Sequence, residues 1–197
     1  MQTNPTYRRI EEALARPGYF VPTDQVEDRF RDPLSRLADW MARPDFDGDL
    51  AEAMVRRWRD EGLLDDERMW SALSVVCTHP AVRRYQEASR CIALQESAAL
   101  DRGGPELDRA LASVERHRGV LAWSMGRPSV ALECFVRALE RERSAENLGN
   151  VLAALVKTGE IDHARGLLDQ VRDSFPPTLS EALGHRVAVD DDLLALR

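Results

Sequence analysis

The side chains best suited to chemistry in this chain are four histidines, three cysteines and a short acidic run. His79, His117, His163 and His185 show neither the His-Glu-x-x-His spacing that puts two imidazoles on one helical face nor a cysteine at metal-ligand spacing. Cys77, Cys91 and Cys134 are too few and too scattered for a zinc site, and their odd number argues against a secreted disulfide framework. They read as buried thiols in a reducing compartment. Asp45-Phe-Asp47-Gly-Asp49 has the oxygen donors of a calcium loop, but its glycine stands at the fourth position and Arg56 at the twelfth, where a bidentate acid is required. Helix capping ahead of Leu50 accounts for these acids better. A Gly-rich phosphate loop, a nucleophile elbow and a paired Cys-His element are missing from the sequence. It therefore predicts no enzyme, no catalytic residue, no cofactor and no bound metal.

Charge narrows the partners. With 27 basic and 34 acidic residues the formal charge is -7, and a phosphate-binding protein would need a concentrated basic face to overcome that field. The arginines at 56, 57 and 59, and at 137, 141 and 143, instead alternate with acids, as solvated helix faces do. No nucleic-acid partner is expected. Lys157 is the sole lysine, an arginine bias that points to a GC-rich bacterial genome. The N-terminus lacks a signal-like apolar stretch and no run of 18 apolar residues occurs, so the sequence predicts a cytoplasmic protein without membrane insertion.

The elements that carry these residues read as helices throughout. Apolar residues recur at spacings of three and four, while alternating or β-branched runs are absent. Candidate helices lie near 5–15, 24–31, 33–42, 48–61, 66–78, 81–101, 106–125, 128–142, 146–158, 161–173, 179–187 and 191–196. Asp32 before Pro33 predicts a capping side chain followed by a ring preset for the first helical turn. Asp65 is placed to cap the helix bearing Met69 and Trp70. Gly126 and Gly159 stand where a left-handed residue closes one helix before the next begins.

Two stretches, 120–140 and 153–173, superimpose when slid by 33 residues: Gly126 falls on Gly159, Ala131 on Ala164 and Phe135 on Leu168. A period in the thirties with a glycine break between two helices marks a stacked helical unit. These residues resemble the tetratricopeptide repeat (TPR) family. Counted from Ala112, the family's small positions fall on Gly119, Ala131 and Ala138, its aromatic position on Phe135 and its turn glycine on Gly126. Counted from Ala145, the matches are Gly159, Ala164, Leu168 and Pro176. Leu152 and Val171 depart from the pattern, as does Arg143 where the first unit would end in proline. A degenerate unit over 70–94, with Tyr85, Ala88 and Ile92, is a further candidate.

The resemblance implies an all-α fold, a right-handed α-solenoid of antiparallel hairpins. Residues 1–104 would form an N-terminal helical array, 105–178 two TPR-like hairpins, and 179–197 capping helices. It also implies a concave groove lined by the first helix of each hairpin, which places Arg116, Val120 and Trp123 with Ser113 and Ser124 in one unit. Asn150, Ala153 and Lys157 with Glu146, Gly149 and Val156 follow in the next. The competing reading makes Trp123 core and Arg116 an ordinary solvated arginine. Because Val120 follows Arg116 where the carboxylate-gripping version of the family has an asparagine, a partner's free C-terminus is not expected. The leading functional expectation is a non-enzymatic adaptor or assembly or secretion chaperone for a protein or peptide partner. One alternative is a regulator binding a component of a transcription or recombination machine, suggested by Trp58–Met69, which resembles helix junctions of RecX-type recombination modulators. Another is a self-associating scaffold subunit, a homodimer.

Overall fold

A computed structural model describes residues 5–15, 32–175 and 177–196, without the side chains of 172–174. The described residues are helical, with no strand. In chain order they form α1 (Pro5–Ala15), α2 (Pro33–Met41), α3 (Gly48–Asp60), α4 (Asp66–Thr78), α5 (Tyr85–Arg102), α6 (Leu107–Ser124), α7 (Pro128–Arg141), α8 (Ala145–Lys157), α9 (Ile161–Ser174), α10 (Pro177–Val189) and a closing 3-10 turn, Asp191–Leu196. The helix expected at 24–31 and the repeat-ending Pro176 lie outside the described residues.

Local chemistry sets most boundaries. The Asp47 carboxylate accepts the backbone N–H groups of Asp49 and Leu50 at 2.9 and 3.1 Å, so the acids at 45–49 do open a helix. Asp65 accepts from the Arg68 N–H at 2.8 Å and Ser144 from the Asn147 N–H at 3.2 Å. Gly126 and Gly159 adopt φ of +70° and +88°, the left-handed backbone that halts one helix and turns the chain into the next. Two expectations are corrected. Asp32 stands at the N-cap position of α2 in extended backbone without a side-chain cap. Its carboxylate is taken by the Arg68 guanidinium at 2.6 Å, a charge-assisted bond that outcompetes a neutral backbone N–H. The helix expected from 81 begins only at Tyr85: Pro80 has no N–H to give, His79 Nδ1 accepts from the Ala81 N–H at 3.2 Å, and Arg83 sits at φ +55°.

The chain divides into two compact units, a middle one over Asp24–Gly126 and a terminal one combining Met1–Thr23 with Arg127–Arg197. In the middle unit α4 packs on α3, α5 and α6, and α5 on α6. Leu37, Val55, Leu64, Leu73 and Val76 form its buried cluster, with Trp40, Trp58 and Trp70 half-buried against it. The turn at Arg102–Pro105 joins α5 to α6 within this unit. All three cysteines are free and buried, as anticipated.

In the terminal unit α8 is the central helix, touched by α7, α9, α10 and the 3-10 turn. Most of its length is buried: Leu148, Val151, Leu152, Ala154 and Leu155 are all fully buried, while Glu146 and Lys157 at its two ends are exposed. Asn147, also fully buried, escapes the cost of an unpaired amide by donating its Nδ2 to the Glu142 carbonyl at 2.8 Å, one of the acceptors left open where α7 ends. The chain's first helix, α1, rests on α7 in this same unit.

Candidate interaction surfaces

On α6, Arg116, Val120 and Trp123 follow at spacings of four and three, the spacing of one helical stripe. All three are half-buried, so Trp123 is neither sealed in the core nor fully presented. Arg116 Nη2 donates to Ser113 Oγ at 3.4 Å, and the Tyr85 hydroxyl donates to the Ser124 carbonyl at 3.0 Å, joining the start of α5 to the end of α6. Behind the stripe runs a buried polar chain. His117 Nδ1 donates to Gln95 Oε1 at 2.9 Å, and Gln95 Nε2 donates to Ser113 Oγ at 3.3 Å. Burial, and then the nearby Arg116 charge, push the His117 pKa down to about 3, so its imidazole is neutral and serves as a fixed hydrogen-bond donor.

On α8 the placement differs. Lys157 is exposed at the helix end, Asn150 is half-buried, and Ala153 is buried at 7% exposure. Arg186, reaching from α10, donates to Asn150 Oδ1 at 2.7 Å and to the Glu146 carbonyl at 2.8 Å, while its Nε donates to Asp190 at 3.3 Å. Gly149 makes this approach possible. A methyl group there would lie 2.6 to 2.8 Å from Nη1, Cδ and Cζ of Arg186. The polar end of Asn150 is thus already engaged within the chain. Arg116, Val120 and Trp123 belong to the middle unit, and Asn150, Ala153 and Lys157 to the terminal one.

Comparison with protein-family models, curated proteins and solved structures gives no match.

Among the described residues no group of three or more His, Cys, Asp or Glu side chains could hold a metal ion, and no helix is long and apolar enough to cross a membrane. What the surface offers is grooves. One of about 460 Å³ lies between α4 and α5, where Trp70, Leu94 and Ala98 meet an acidic rim that includes Asp66 and Asp101. Another, of about 560 Å³, lies among α9, α10 and the 3-10 turn, with Leu168, Val187 and Leu196 inside and Arg165 and Asp169 lining it. Sequence reasoning missed both. Leu94, Ala98 and Asp101 do share one helical face by spacing, the signal that was there to find.

Proposed function

We propose that this protein is a non-enzymatic adaptor or assembly chaperone that engages a protein or peptide partner through repeat-derived helical faces. Those faces are the Arg116, Val120 and Trp123 stripe on α6 and the exposed Lys157 end of α8, while Ala153 is buried and Asn150 is already held by Arg186. One observation supports this reading above the others: the two stretches related by the 33-residue shift match in backbone or burial at three corresponding positions. Gly126 and Gly159 are both left-handed, Ala131 and Ala164 are both fully buried, and Phe135 and Leu168 are both nearly so, at 4% and 3%. Repeats of this kind stack helices so that one face of the stack stays open to partners. A right-handed α-solenoid of antiparallel, TPR-like hairpins is the architecture we assign to them. The α6 stripe carries a guanidinium and an indole, side chains that concentrate binding energy where protein surfaces meet, with Val120 adding apolar contact area between them.

The test is affinity capture with the tagged protein and with an Arg116→Glu, Lys157→Glu double variant, read by mass spectrometry. A partner lost from the variant, with helicity and melting unchanged, supports the reading. The same partners recovered by both proteins remove these faces from it.

A further inference from the structure

The α1 helix is seated in the terminal unit as a ligand would be. It is only 11 residues long, carries no acid in its first turn and no base in its last, and helices below about 12 residues are marginal in water on their own. Docking therefore supplies its order. Ile10 and Ala13 are fully buried and Leu14 is 2% exposed, forming the inner face. Arg9 closes the polar edge. Its Nε and Nη2 donate to the two oxygens of Glu140, each at 2.8 Å, and its Nη1 donates to Glu133 at 2.8 Å. Thr6 donates its hydroxyl to the other Glu133 oxygen at 2.7 Å, and the Tyr7 ring stacks on His163 of α9 with centroids 3.9 Å apart.

The receiving face is thus specific in chemistry. Two carboxylates stand two turns apart on α7, an imidazole stands on α9, and apolar surface accepts an Ile and a Leu one turn apart. Charge complementarity selects a cationic helix, and the bidentate Arg9–Glu140 pair selects arginine over lysine. Helix-in-groove recognition uses anchors at this spacing.

We propose that the α7–α9 face of the terminal unit is a docking groove for a short, basic amphipathic helix of a partner protein, and that α1 is its resident occupant, displaced when that partner binds. The partner helix presents an aromatic residue, arginine two positions later, a branched aliphatic next, and leucine four residues beyond that. This groove is distinct from the α6 and α8 stripes, so the two readings fail separately.

The experiment uses the full chain carrying Arg9→Ala and Ile10→Asp, which empties the groove, and a fluorescent peptide of residues 1–17 as probe. Saturable binding is expected, at least tenfold tighter to this variant than to the wild-type chain, where α1 competes. A peptide carrying Arg9→Glu should bind at least tenfold more weakly, and a Glu140→Arg substitution added to the emptied chain should restore it. No saturable binding to a chain that still melts cooperatively overturns the proposal, as does equal binding of the two peptides. Should the variant fail to fold, hydrogen exchange on the wild-type chain decides. Amides of α1 exchanging at least 100-fold faster than those of α8 show that the helix leaves by itself, and matched rates make it part of the core and overturn the proposal. A wild-type mass near twice 22.2 kDa, with α1 exchanged between copies, overturns it as well, since the groove's occupant is then a second copy of this chain.

Discussion

Arg186 lies directly over Gly149, its guanidinium bridging the Glu146 carbonyl and the Asn150 side chain in the space a Cβ would fill. The pair makes a sign-changing prediction. Gly149→Ala in the wild-type chain displaces Arg186 and lowers stability by about 1 kcal/mol, because two hydrogen bonds are lost against a gain of roughly 0.5 to 1 kcal/mol in helix propensity. In an Arg186→Ala background that gain stands alone and the same substitution stabilises. Urea denaturation of the four proteins checks this, and simple additivity would refute the contact.

The turn glycines are required for backbone reasons alone. Nothing lies within 4 Å of a Cβ built at Gly126 or Gly159, so the cost of substitution is the left-handed φ itself. Gly126→Ala and Gly159→Ala should each destabilise by about 1 kcal/mol, and asparagine should cost less than alanine at both. Melting temperatures of the four variants measure it.

His117 makes stability depend on pH. Its folded pKa of about 3 lies below the ordinary 6.5, so the unfolded chain binds the proton more readily. This contribution is intact above roughly pH 6.5 and is lost as pH falls towards 3, by about 1.4 kcal/mol per unit across that window. His117→Gln keeps a donor for Gln95 and should flatten the slope, as followed by denaturant midpoints between pH 7 and 4.

The two buried thiols of the middle unit are unequal. The hydrogen bond between Cys77 and Cys91 pulls the Cys91 pKa down and, together with burial, holds Cys77 up, while Arg56 adds to the effect on Cys91. Slow alkylation of the native protein should therefore label Cys91 before Cys77. Cys77→Ala should slow labelling of Cys91 several-fold, measured by peptide mass spectrometry.

Helix by helix, much of the fold is legible in the sequence, because its signals are local. Capping by Asp47 and Asp65 acts over three residues, the turn glycines act through their own φ, and the three-four apolar spacing records which face is buried. The misreadings arise where a distant group intervenes. Arg68 draws the Asp32 carboxylate from 36 residues away, and the Pro80 turn takes residues that periodicity assigns to α5.

What the sequence determined alone is that the chain is helical and where most helices begin and end, since a helix closes its hydrogen bonds within four residues. What only the tertiary structure decided is which faces remain open. Periodicity marks Ile10, Ala13 and Leu14 as one apolar stripe and Asn150 and Ala153 as neighbours on another, but it carries no information on what covers them. That depends on pairings such as Arg9 with Glu140, 131 residues apart, and Arg186 with Asn150, 36 apart. Long-range pairs like these form only when packing brings the helices together, so the surfaces left open are a property of the folded chain.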